Sequence, residues 1–209
     1  MNALIYAPSG GGKTVNATAV KVGERGRNLL ICSDNSSIVL QNFDRPNVDV
    51  IDIYNVKDFL QAYKKGYQSK KYDTIICDNL SDVFDMWILE LEESGQFKDM
   101  RQAYQLVYQS LKRLTRESTH TGCNTIFTAW CDYFEVTLAD GKKINRRQPK
   151  IPIKILDNVC GLMNVVGFVG QKDGKYLYAL KGSDTLIAKD QLYNRDVCEP
   201  ENIFLKGDK

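Results

Sequence analysis

Apolar and polar positions along this chain follow rhythms that mark elements before any chemistry is considered. A short apolar run, Ala3 to Tyr6, meets the string A-P-S-G-G-G-K-T, after which Val15, Ala19 and Val22 recur at helical spacing until Gly23 stops them. That order reads as strand, loop and helix. Asn28 to Cys32 is a continuous apolar run and Val48 to Ile53 alternates with Asp49 and Asp52, so both are expected to be strands. Asn55, with Asp58 three residues on, caps a helix reaching about Lys65. Thr74 to Cys77 is again β-rich and ends at Asp78, and the spacing then predicts helices over Leu80 to Glu93 and Met100 to Ser118. In the second of these, Met100, Ala103, Val107, Leu111 and Leu114 share one face.

Thr125 to Trp130 is the next strand. Beyond it the character changes: Asp140-Gly141 and Asp173-Gly174 are turn signals between short β-like runs, and Tyr176 to Leu180 and Thr185 to Ala188 are further such runs. Strands alternating with helices and then hairpins predict an α/β fold, a mostly parallel twisted sheet extended by antiparallel strands. A chain of 209 residues suits a single domain spanning 1–209.

Composition changes this picture little. The 28 Lys and Arg against 26 Asp and Glu leave a formal charge of +2, so a nucleic-acid or membrane partner has to be argued from local clusters. Six cysteines with no C-x-x-C pair, several inside apolar runs, predict reduced and mostly buried thiols in a cytosolic protein. The N-terminus enters a strand directly and no long apolar stretch follows, which argues against secretion and membrane spanning. With His120 as the only histidine, neither a Ser-His-Asp triad nor a histidine-rich metal centre can be assembled. Trp87, Trp130, Tyr104 and Tyr108 lie in apolar patterns and are expected in the core or at an interface.

The chemistry concentrates in the glycine string. Binding a di- or triphosphate requires converging backbone N–H groups, a lysine for the outer phosphates and a hydroxyl for magnesium. Ala7, Pro8, Ser9, Gly10, Gly11, Gly12, Lys13 and Thr14 supply that set between a strand and a helix, with Ala7 where the usual pattern opens on glycine. ATP and Mg2+ are the ligands this loop predicts. A second carboxylate should hold magnesium from the end of a buried strand beside the loop strand, and Asp78 suits that role. Asp34, at the end of the strand Leu29 to Cys32, is the best-placed carboxylate to orient the attacking water, or else forms an Asx turn into Asn35 and Ser36. Thr128 is placed to contact the terminal phosphate, or simply favours the strand.

The loop at residue 7, Asp34 ending the second strand and Asp78 ending a later one resemble the order of the RecA-like ATPase core. More closely, the chain resembles the phage P-loop nucleotide-binding proteins, RecA-like ATPases related to the single-strand annealing proteins of phage recombination. The likeness is carried by the N-terminal loop, by Y-D-T-I-I-C-D-N-L-S-D at 72 to 82, by D-M-R-Q-A-Y-Q-L-V-Y-Q-S-L-K at 99 to 112 and by A-K-D at 188 to 190. It implies a RecA-like P-loop NTPase core with helices on both faces of the sheet, and a homo-oligomeric ATPase in the host cytoplasm. It also implies single-stranded DNA and a single-strand DNA-binding protein as partners. In that family A-K-D is usually followed by Arg, making a basic pair that reaches a neighbour's nucleotide. Gln191 stands there in this chain, leaving Lys189 alone to serve.

In RecA-like recombinases the DNA path is lined by the segment after the magnesium-carboxylate strand and by the segment after the strand that follows it. Here the second such segment, Cys131 to Lys154, holds Lys142, Lys143, Arg146, Arg147, Lys150 and Lys154, with Tyr133 and Phe134 nearby. Cations that neutralise phosphates beside rings that stack on bases suit single-stranded DNA, and a solvated hairpin is the plainer alternative. Two rival functions use the same loop. A nucleotide kinase would need an arginine-rich lid, and only Arg146-Arg147 offers a pair. A nucleotide-gated interaction module with little turnover is kept open by Asp34 in place of a longer Glu and by Gln191 in place of Arg.

Overall fold

The computed structural model describes residues 1–206. Its spine is a sheet whose central strands are β1 (Asn2–Ala7), β2 (Asn28–Cys32) and β4 (Thr74–Asp78), each buried along its whole length. Strands covered on both faces need no polar side, which is why these segments read as continuous apolar runs. β5 (Asn124–Thr137) and β7 (Val165–Lys172) flank β1 in parallel, and β3 (Val48–Asp52) closes one edge beside β2. β8 (Lys175–Ala179) returns antiparallel to β7, β6 (Lys143–Pro149) pairs β5, β9 (Lys189–Asp190) pairs β7, and β10 (Val197–Cys198) ends the other edge. The main order is β10-β8-β7-β1-β5-β4-β2-β3, the RecA-like P-loop arrangement with antiparallel additions.

Alternation along β1 sorts the two cores. Leu4 and Tyr6 face one layer, made by α2 (Val56–Gln68), α3 (Leu80–Glu93), α4 (Met100–Glu117) and α5 (Ile153–Leu162), through Phe59, Tyr63, Val83, Val107, Leu111 and Leu156. Ala3, Ile5 and Ala7 face the other layer, where Ala17 of the short helix α1 (Lys13–Ala17) meets Tyr178 and Phe204. The helix starts follow their caps: Asn55 accepts from Asp58 N at 2.8 Å, Asn79 from Asp82 N at 2.8 Å and Asp99 from Arg101 N at 2.9 Å. Asp140-Gly141 and Asp173-Gly174 sit in the two hairpin turns, with Asp173, Gly141 and Gly174 at positive φ. All six cysteines are unpaired and five are buried. Among the described residues no helix is long and apolar enough to cross a membrane.

Four details depart from the sequence reading. The first helix ends at Ala17 rather than near Gly23. Thr18 Oγ1 bonds back to Thr14 O at 2.9 Å, and Lys21 N and Val20 O are taken by Glu201 O and Asn28 Nδ2. α5 was hidden under a basic segment, although Ile155, Leu156, Val159 and Cys160 give it a buried face behind Pro152. Thr185 to Ala188 form no strand. Ser183 and Leu186 close a turn there, and Arg147 bonds Thr185 O and Ile187 N from the side. Finally, the Asp78 strand does not lie beside the loop strand, because β5 is inserted between them.

The C-terminal segment is pinned by one arginine. Arg195 donates Nε to Asp190 at 2.6 Å, Nη1 to Asn202 O and Leu205 O, and Nη2 to Ile203 O, while Asp190 also accepts the amides of Leu192, Tyr193 and Arg195. Burial pushes the Asp190 carboxyl up, but the bonds from Arg195 prevail and hold it below the usual carboxylate range. A lowered folded pKa stabilises above the unfolded value, and this contribution fades as pH falls through the folded one. Arg195→Met should therefore cost about 3 kcal/mol at neutral pH in a denaturant titration, with the difference from wild type shrinking under acid.

Candidate functional site

The loop from Ala7 to Thr14 leaves the carboxyl end of β1 and enters α1. Its three glycines meet separate demands. Gly10 and Gly12 have φ of +72° and +80°, and a Cβ on Gly11 would lie 2.8 Å from Ala7 Cβ and 2.9 Å from Pro8 O. Gly11 N donates to Pro8 O at 3.0 Å and Asn16 Nδ2 to Gly12 O at 2.7 Å, so the turn is held at both ends. The amides that open α1 have no acceptor within the helix and are suited to phosphate oxygens. Lys13, 7 % exposed, folds back with Nζ 3.4 Å from Pro8 O. Burial lowers its pKa, against the pull of Asp78 and Asp34.

Asp78 ends β4 at 1 % exposure and gathers three hydroxyls. Thr14 Oγ1 donates to Oδ2 at 2.5 Å, Ser36 Oγ to Oδ2 at 2.9 Å, and Thr128 Oγ1 to Oδ1. Burial raises the carboxyl pKa, the hydroxyls oppose the rise, and nearby Asp34 adds to it. The peptide bond from Asp78 to Asn79 is cis.

Asp34 forms the Asx turn and also borders the phosphate loop. Its Oδ1 accepts Ser36 N at 3.1 Å, closing the Asx turn, while its Oδ2 accepts Asn79 Nδ2 at 2.6 Å and it lines the cavity over the loop. Cys32, Asp34 and Asp78 bring potential ligand atoms within 4.8 Å of one another. Magnesium takes oxygen ligands, and Thr14, Ser36, Asp34 and Asp78 provide them. The Cys32 thiol, pushed up to about 11 by burial, stays protonated and outside that set. These residues fit a magnesium nucleotide. The cavity, about 250 Å³, is bounded by Gly10, Lys13, Thr14, Asp34, Ser36 and Trp130.

Other candidates lie farther off. Lys189 pairs with Val166, which pairs with Leu4, so it sits at the amino end of the sheet, opposite its own loop, with Nζ 3.2 Å from Gly161 O. It does not line the cavity over its own phosphate loop. The basic residues lie on the β5–β6 hairpin and just past it, but three of the six named cations already have partners. Lys143 pairs with Glu135 at 2.8 Å, Arg147 lies over the Phe168 ring at 5.3 Å, and Lys150 over the Trp130 ring at 4.9 Å with Asp85 at 3.5 Å. Tyr133 and Phe134 are exposed and stand opposite Arg147 and Arg146.

Sequence reasoning missed Ser36, Asn79 and Ser81. Asn79 caps α3 through Oδ1 and orients Asp34 through Nδ2. Ser81 Oγ accepts Trp130 N and donates to Lys150 O, both at 2.9 Å, tying α3 to β5.

No curated protein matches the chain in sequence. Among solved structures, a KaiC-like protein of the hyperthermophilic archaeon Pyrococcus horikoshii is similar at 14 % identity and a TM-score of 0.47, covering 85 % of this chain and 76 % of that one. A family model described as an AAA domain matches residues 1–192, and the chain accordingly belongs to that AAA domain family, with a P-loop ATPase core.

Proposed function

We propose that the protein is a magnesium-dependent ATPase acting on single-stranded DNA in phage recombination, replication or annealing. The observation that carries this reading is the continuity of β5. Its buried half brings Thr128 to Asp78 and Trp130 to the phosphate cavity, and its exposed half bears Tyr133 and Phe134 opposite Arg147 and Arg146. Rings and cations on one hairpin suit stacked bases and their phosphates.

In this reading Lys13 holds the outer phosphates, and Thr14 and Asp78 are the residues that would hold magnesium, which neutralises charge as the terminal phosphoryl departs. Asp34, fixed by Asn79 and the Ser36 amide, accepts a hydrogen bond from the attacking water. Lys189 is assigned to the nucleotide of a neighbouring copy, since it does not line the cavity over its own loop. The oligomer, the host cytoplasm and a single-strand DNA-binding protein as partner rest on the resemblance of the motifs.

The deciding experiment is ATP hydrolysis in magnesium, with and without single-stranded DNA, and with nucleoside monophosphates as acceptors. The expected result is turnover that rises with DNA. Phosphate transfer to a monophosphate would make the protein a kinase, and binding without turnover would make it a gated module. Lys142 and Arg146 form no ion pair among the described residues, so the double variant Lys142→Gln, Arg146→Gln should weaken DNA binding. Its log–log salt slope should fall by about 1.4, or 0.7 for each lost single-strand contact. An unchanged slope would place the DNA elsewhere.

A further inference from the structure

The β7–β8 hairpin reaches the phosphate loop from the side that the catalytic carboxylates leave open. β1 is flanked by β5 on one side and β7 on the other. Asp78 on β4 and Asp34 after β2 both lie beyond β5, so a terminal phosphate that meets them points toward that half of the sheet. The rest of the nucleotide must then leave across Gly12, toward β7 and β8.

There the first side chain met is Tyr176. A Cβ built on Gly12 would lie 3.2 Å from Tyr176 Cε1 and 3.3 Å from its Cζ, so the ring edge stands against the loop itself. Tyr176 is 41 % exposed, whereas Tyr178, two residues on and on the same face of the strand, is wholly buried in the core under α1. The strand thus anchors one ring and presents the other beside the loop. Directly opposite Tyr176 in the ladder is Gln171, exposed and on the same face, whose amide both donates and accepts hydrogen bonds. An aromatic surface next to an amide is the chemistry that holds a planar heterocycle and reads its edge.

We propose that Tyr176 and Gln171 form the nucleoside end of the site, with Tyr176 packing on the base or ribose and Gln171 contacting the base edge. The proposal rests on the nucleotide reading of the loop and adds to it the residues that distinguish a nucleotide from a bare polyphosphate. It also gives Gly12 a second reason to lack a side chain, because a methyl there would displace the ring.

The test is equilibrium binding of ATP and of inorganic tripolyphosphate, both in magnesium, to the full chain and to Tyr176→Ala, Tyr176→Phe and Gln171→Ala. Tyr176→Ala should weaken ATP about 10-fold and leave tripolyphosphate unchanged, while Tyr176→Phe keeps wild-type affinity for both. Gln171→Ala should narrow the ratio of ATP to GTP affinity, and an unchanged ratio would remove Gln171 from the site. ATP affinity that survives Tyr176→Ala, or an equal loss for both ligands, would overturn the subsite while leaving the loop assignment standing. Wild-type protein that bound neither ligand would overturn the loop assignment, and the subsite with it.

Discussion

Lys13→Ala is expected to abolish tight ATP binding, raising the dissociation constant about 100-fold or more. The side chain supplies the one ammonium lining the phosphate cavity among the described residues, and two charge-assisted bonds to phosphate oxygens are together worth about 3 kcal/mol or more. Isothermal titration with ATP measures this directly, and unchanged affinity would sink the loop assignment. The same variant should fold normally, since a buried ammonium held near a single carbonyl at 3.4 Å adds little to stability. Affinity should also depend on pH. Burial lowers the Lys13 pKa in the free protein, and the protonated form binds phosphate, so ATP affinity should fall with rising pH sooner than an ordinary lysine would allow.

Asp78→Asn should leave a folded protein whose turnover is down about 100- to 1000-fold and no longer responds to magnesium. Among the described residues, the carboxylate is the only acidic side chain that bonds Thr14, Thr128 and Ser36 together. An amide fills the same space but offers magnesium a weaker ligand. The effect on stability should run the other way. The folded pKa of Asp78 is raised, so its contribution is complete below the unfolded value and is lost as pH rises through the folded one. Asparagine stays neutral at every pH, and the unliganded variant should melt at or above the wild-type temperature near pH 7. A variant that hydrolysed ATP at the wild-type rate would remove Asp78 from the reaction.

Local chemistry made half of this site legible. Three glycines, a lysine and a threonine at a strand-to-helix junction need no distant partner to be recognised, and Asp78 announces itself by ending an apolar run. What stayed hidden depends on which strands become neighbours. Nothing in T-I-I-C-D indicates that β5 separates it from β1, and nothing in S-S at 36 and 37 indicates that Ser36 Oγ reaches Asp78. The bond from the Thr128 hydroxyl to Asp78 is likewise a contact between strands distant in sequence. The basic segment misled in two ways. Its charges obscured the apolar face of α5, and a count of cations does not reveal that Glu135, Phe168 and Trp130 already engage three of them.

The length of β5 has a mechanical consequence. Beyond Trp130 the strand continues to Thr137 with β6 as its one strand partner among the described residues. At about 3.3 Å per residue, its outer end stands about 20 Å from the indole that borders the phosphate cavity. A tilt of about 5° at the base would sweep the tip through about 2 Å. The hairpin is thus a lever with its short arm in the nucleotide site, so its reach multiplies displacements too small to disturb the packed strands beside it.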